Sequence, residues 1–182
     1  MRKIFIVGLP RTGTTSLCML FLDLGYRVAH TVYTKACFEQ AEVMADIPIF
    51  CDYVNYDNNC LDSKYILLER PADTWLPSIK QLLLRMYKNL VTQHGGFHPE
   101  IKKCYLEVFS PFTLKNISCD EFLLSCYQAH RREVESYFKN NESRLLKIAI
   151  DDADLVQKIT AFLDPLPMHD KIKDRQTPHV NR

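Results

Sequence analysis

The segment Gly8-Leu9-Pro10-Arg11-Thr12-Gly13-Thr14-Thr15 joins a short apolar run to a stretch with helical spacing. These residue types suit anion binding. Glycines let the backbone curl around oxyanions without side-chain clashes. A helix opening at Thr14 offers unpaired N–H groups and a partial positive charge. Thr14, Thr15 and Ser16 add hydroxyl donors, and Arg11 adds a permanent cation. The spacing approaches the phosphate loop GxxxxGK[ST], but Thr14 stands where the lysine belongs. That lysine normally reaches β- and γ-phosphates, so its loss argues against triphosphate hydrolysis. The cation comes instead from Arg11. The plainer reading, a glycine turn beside a surface arginine, is disfavoured by the strand–loop–helix context.

A second cluster lies in Tyr65-Ile66-Leu67-Leu68-Glu69-Arg70-Pro71-Ala72-Asp73-Thr74-Trp75-Leu76-Pro77-Ser78. Arg70 stands at the carboxyl end of an apolar run, on the edge where open α/β sheets bind ligands. Ser78 follows eight residues later. A guanidinium fork and a hydroxyl together suit a phosphate. Arg70 alone would read equally well as a surface ion pair with Glu69 or Asp73.

The elements that must position these groups follow from periodicity. Residues 3–8, 64–69 and 144–150 are short runs rich in apolar residues, as buried strands are. Helical spacing covers 14–24, closed by Gly25, and then 33–44, 73–90, 99–109, 119–138 and 151–163. Residues 46–50 read as a loop or short extended piece. With Thr74 as cap, Pro77 would be the third residue of its helix, where its missing N–H is harmless. Ser118 and Glu121 have capping-box spacing. Apolar strands alternating with helices predict a three-layer α/β/α domain on a parallel sheet, like a P-loop nucleoside-triphosphate hydrolase. The domain is expected over 1–164. Residues 165–182 are expected to form an irregular tail on or near the nucleotide site.

LPRTGTTSL resembles the 5′-phosphosulfate loop of the sulfotransferase family, P-[KR]-[ST]-G-T-[ST]. Arg70 with Ser78 resembles that family's 3′-phosphate motif, a strand-end arginine with a serine eight residues on. The resemblance runs from Lys3 to about Arg85, with a weaker echo in Pro178-His179-Val180-Asn181, similar to a PHxN ending of small bacterial-type members. It implies a donor, 3′-phosphoadenosine 5′-phosphosulfate, and transfer of its sulfuryl group to a hydroxyl or amine of a small acceptor. The implied donor-binding residues are Arg11, Thr12, Gly13, Thr14, Thr15, Ser16, Arg70 and Ser78, with Arg11 also catalytic. No metal is expected, since a sulfuryl group carries less charge than a terminal phosphoryl group. The glycine-rich basic segment of longer members is not visible; either Lys171, Lys173 and Arg175 substitute for it, or fewer groups hold the 3′-phosphate.

An acceptor hydroxyl also needs a base. Family members often carry one before the second motif, where Asp46-Ile47-Pro48 stands. Asp46 is the first choice, with Asp52 and His30 as rivals. A P-loop small-molecule kinase is the alternative function, with Asp151 as its conceivable magnesium ligand. A nucleotide-binding protein without catalysis is a third reading. His94 and His98 lack a third metal ligand and read as loop residues.

The 182 residues are 47% hydrophobic and 25% charged with a formal net charge of +1, which suits one globular domain and does not advertise a nucleic-acid partner. No apolar stretch approaches the ~20 residues of a membrane span. Seven cysteines without a CxxC read as reduced, mostly buried thiols in a cytoplasmic protein. The acceptor's identity and the oligomeric state are not encoded in these patterns.

Overall fold

The computed structural model describes residues 3–60 and 62–163. The basic tail residues and the Pro178 motif lie outside them. Five parallel strands form one sheet in the order β2-β3-β1-β4-β5: β1 (Ile4–Ile6), β2 (Val28–Ala29), β3 (Val43–Ala45), β4 (Lys64–Glu69) and β5 (Leu145–Ala149). Helices α1 (Thr14–Asp23), α2 (Lys35–Gln40), α3 (Ile49–Asn59), α4 (Ala72–Val91), α5 (Pro99–Val108), α6 (Leu114–Ile117), α7 (Asp120–Tyr137) and α8 (Leu155–Leu163) connect and flank it. The expected three-layer α/β fold is thus the observed one.

Strand residues alternate between the two faces, as the pleat requires. Ile4, Ile6, Ile66, Leu68 and Ile148 pack with Leu17, Phe21 and Ile159 of α1 and α8. Phe5, Val7, Tyr65 and Leu67 pack with Ile49 and Tyr53 of α3 and Val134 of α7. Both faces are therefore apolar, which explains the unbroken run of β4. A third cluster joins α3 to α4, α5, α6 and α7 around Trp75, Ile79, Leu83, Phe109 and Leu123.

Several local expectations are corrected. Residues 33–44 are not one helix: α2 ends at Gln40 and Val43–Ala45 is a strand, paired with Ile4–Ile6 of β1. Three residues are too few for a period to show, and the slot beside β1 decides their state. Residues 46–50 run into α3, which begins at Ile49. α4 begins at Ala72 rather than after Thr74, so Pro77 lies deeper in the helix than expected. Cys119, not Ser118, precedes α7, and the Glu121 carboxylate accepts from the Cys119 thiol instead of closing a capping box. Finally, the cysteines are not all thiols. Cys51 of α3 and Cys104 of α5 are joined, with Cα atoms 5.5 Å apart. They are 53 residues apart in sequence, and spacing alone does not pair cysteines.

At the amino ends of β4 and β5 a largely buried polar knot ties α3, β4, α7 and the turn before β5. Arg144 pairs with Asp57, whose carboxylate also accepts from the Tyr65 hydroxyl at 3.0 Å and the Tyr137 hydroxyl at 2.9 Å. Removing one partner strands a charge away from water. Asp57→Ala is expected to lower unfolding stability by about 3 kcal/mol in urea titration. Lys35→Ala, which breaks the exposed pair with Glu39, should cost under about 0.5 kcal/mol. Equal small losses would mean the knot is not stabilising.

Candidate functional site

The carboxyl ends of β1 to β4 each deliver part of one cluster. β1 leads into the Gly8–Thr15 loop. Gly8 passes so close to β4 that a Cβ there would stand 2.6 Å from Leu68 Cβ. The Thr12 hydroxyl and amide both donate to Leu9 O, at 2.7 and 3.2 Å. Thr12 is fully buried, so its hydroxyl braces the turn rather than facing outward. Arg11 and Gly13 have φ of 73° and 108°. The left-handed region suits glycine, and a Cβ on Gly13 would also press within 2.9 Å of Ile150. Leu17 N–H is the first to bond along α1, to Gly13 O at 3.0 Å. The amides of Thr14, Thr15 and Ser16 thus have no intrahelical partner.

β4 ends at Arg70. Its Nη1 donates to Arg11 O at 2.8 Å and its Nε to Thr74 Oγ1 at 3.2 Å. From α4, the Trp75 indole N–H donates to Pro10 O at 3.0 Å. Ser78 Oγ accepts from Arg11 Nε at 2.7 Å. The two sequence motifs, nearly sixty residues apart in the chain, meet side by side. Sequence reasoning missed Tyr127 of α7. Its hydroxyl accepts from Arg70 N–H at 3.0 Å and donates to Arg70 O at 3.2 Å. A tyrosine on a distant amphipathic helix carries no signal of this role.

His30 follows β2 and Asp46 follows β3. Asp46 Oδ2 lies 3.4 Å from His30 Nδ1. His30 Nε2 lies 3.0 Å from Thr15 Oγ1 and 3.4 Å from Thr14 Oγ1. Two residues considered as rivals are therefore one assembly, in contact with the loop. Asp46 itself has φ of 59°, and its Oδ1 is buried without a hydrogen-bond partner among the described residues. Burial raises the Asp46 pKa above the usual carboxylate range, and His30 pulls it partly back. The Tyr105 hydroxyl, largely buried, is held protonated by desolvation and then by the nearby Asp46 charge. Asp52 lies on α3, where Oδ1 accepts from Asn55 Nδ2 at 2.6 Å. His98 caps α5 by accepting from Glu100 N–H at 3.3 Å. No group of three or more His, Cys, Asp or Glu that could hold a metal is found among the described residues.

A parallel sheet whose central strand opens into a lysine-free glycine loop, with an arginine that follows the neighbouring strand set against that loop, defines an α/β domain of the P-loop-like kind. The family model described as a sulfotransferase domain matches residues 3–36 and 31–182. The chain belongs to that family and is a transferase. No curated protein matches it. Among the described residues, no helix is long and apolar enough to cross a membrane.

The raised Asp46 pKa has a consequence for stability. An unfolded Asp46 ionises near its ordinary value, about 4. Above that pH the folded chain retains a proton that the unfolded chain has lost. The contribution of Asp46 to stability therefore falls as pH rises through the folded value. Asp46→Asn does not ionise there, so its stability relative to wild type should improve between pH 4 and pH 7 in urea unfolding. A variant that instead loses ground over this range would show that His30, not burial, dominates.

Proposed function

We propose that the chain transfers a sulfuryl group from 3′-phosphoadenosine 5′-phosphosulfate to a hydroxyl or amine of a small acceptor. The observation that carries this reading is the meeting of the two motifs. A phosphate loop alone suits many nucleotides. A strand-end arginine and a serine beside it, both touching Arg11, add a second anion seat within reach of the same ligand.

In this reading the amides of Thr14, Thr15 and Ser16 hold the 5′ end through the dipole and free donors of α1. Gly13 supplies the left-handed turn that aims them. Arg70 and Ser78 hold the 3′-phosphate, with Thr12 supporting the loop from beneath. The direct Arg11–Ser78 contact is replaced when phosphate oxygens take both groups. Arg11 is then free to meet the bridging oxygen between phosphorus and sulfur, where charge develops as the S–O bond breaks.

The acceptor oxygen attacks sulfur and loses its proton to the His30–Asp46 pair. The Asp46 carboxylate accepts from Nδ1–H and orients the ring, which leaves Nε2 to take the proton. The adenosine 3′,5′-bisphosphate departs with the electron pair of the broken S–O bond. No metal is needed in this scheme, because positioning and Arg11 supply the charge stabilisation. Burial, and then the nearby Asp46 charge, raises the phenol pKa values of Tyr33 and Tyr105. They suit one wall of a mostly apolar acceptor seat.

Calorimetry tests the donor class. Adenosine 3′,5′-bisphosphate should bind at least tenfold more tightly than ADP or ATP with magnesium; a preference for ATP with magnesium would overturn the reading in favour of a kinase. Arg11→Ala should lower kcat by about a hundredfold or more while changing bisphosphate affinity only a few-fold. Unchanged turnover would remove Arg11 from the chemistry.

A further inference from the structure

α3, α5 and α7 leave a cavity of about 210 Å³ between them. Its walls include Phe50, Tyr53, Ala129 and His130, with Glu107 and Glu133 also lining it. No residue of the phosphate loop contributes to it, nor do His30, Asp46, Arg70 or Ser78. Glu107 and Glu133 are solvent-exposed residues, so they stand at the mouth. Neither forms an ion pair or side-chain hydrogen bond among the described residues, and no Lys or Arg lines the cavity.

His130 defines the chemistry of the interior. It is only 6% exposed, and its Nε2 lies 2.8 Å from Phe50 O. A carbonyl only accepts, so Nε2 carries the hydrogen. Burial pushes the His130 pKa down to about 4, so the ring is neutral near pH 7 and Nδ1 holds a lone pair. No donor among the described residues reaches Nδ1. Among the described residues the sealed side-chain polar atoms without a hydrogen-bond partner are Asp46 Oδ1, Ser63 Oγ and Glu69 Oε1, so Nδ1 is not sealed off: it is an open acceptor on a residue that lines the cavity.

We propose that this cavity binds a small ligand with a primary ammonium on an apolar or aromatic body. The ammonium donates to Nδ1 of His130 and lies in the field of Glu107 and Glu133. The body packs against Phe50, Tyr53 and Ala129. An anion would meet two carboxylates and no cation. A neutral molecule would gain only the His130 acceptor. Size agrees: an apolar cavity of roughly 150 Å³ holds benzene, so this one accommodates a ring with a short charged arm. The inference does not depend on the sulfuryl-transfer reading, because it shares none of the residues assigned to the donor.

Titration calorimetry on the full chain tests it with 2-phenylethylammonium, 2-phenylethanol and 3-phenylpropanoate. The ammonium should bind saturably at one site, the alcohol at least tenfold more weakly, and the carboxylate not at all. E107Q/E133Q should weaken ammonium binding tenfold or more, and Ala129→Leu, which fills the space, should abolish it. Both variants are first checked for wild-type thermal unfolding, and the glutamine pair, being isosteric and at the surface, serves if the leucine variant does not fold. Absence of saturable ammonium binding, equal affinity for the alcohol, or unchanged affinity in E107Q/E133Q would each overturn the proposal.

Discussion

If Thr14, Thr15 and Ser16 present their amides to an anion, as proposed above, those amides cannot hold the loop in place. What holds it are the Thr12 amide, bonded to Leu9 O, and the loop's carbonyls and side chains. In this chain the three successive carbonyls of Leu9, Pro10 and Arg11 are each taken by a side chain: Thr12 on the first, Trp75 on the second, Arg70 on the third. The Trp75 indole is fully buried, so its single N–H must find an acceptor, and Pro10 O is that acceptor. The bond therefore serves the core and the loop at once. Tyr127 in turn fixes the backbone of Arg70 from α7, which links the loop to a helix far along the chain.

This arrangement explains why the sheet edge and α4 are so closely coupled. The apolar face of α4 (Trp75, Ile79, Leu83 and Leu90) anchors it in the helical cluster. Its amino-terminal turns are then held against the loop, and Thr74 and Ser78 face the same side as Arg11 and Arg70. A site built on strand ends and a packed helix is held more rigidly than one built on free loops. That rigidity matters for chemistry that depends on positioning.

His30 and Asp46 belong to the other side of the loop. Each follows a very short strand, and neither strand was anticipated. Asp46 carries a positive φ, an orphaned oxygen and a neighbouring imidazole, a combination of backbone strain and desolvation that proteins tend to keep at working sites. The Cys51–Cys104 link ties α3, which follows Asp46 closely, to the helix that carries Tyr105.

What the sequence determined by itself was local and strong in pattern. The Gly8 to Thr15 loop between strand and helix, the apolar run ending at Arg70, the serine eight residues on and the long helices were all readable. Each is set by interactions within a few residues: steric freedom at glycine, burial on both faces of a strand, and the helical period. The α/β class followed from their alternation. Tertiary structure alone decided the rest. The strands at Val28–Ala29 and Val43–Ala45 are too short to show a period and exist because the sheet offers them partners. The pairing of His30 with Asp46, the grip of Tyr127 on Arg70 and the union of Cys51 with Cys104 join residues between 16 and 57 positions apart. No local energy term relates such residues until the packed sheet brings them within reach.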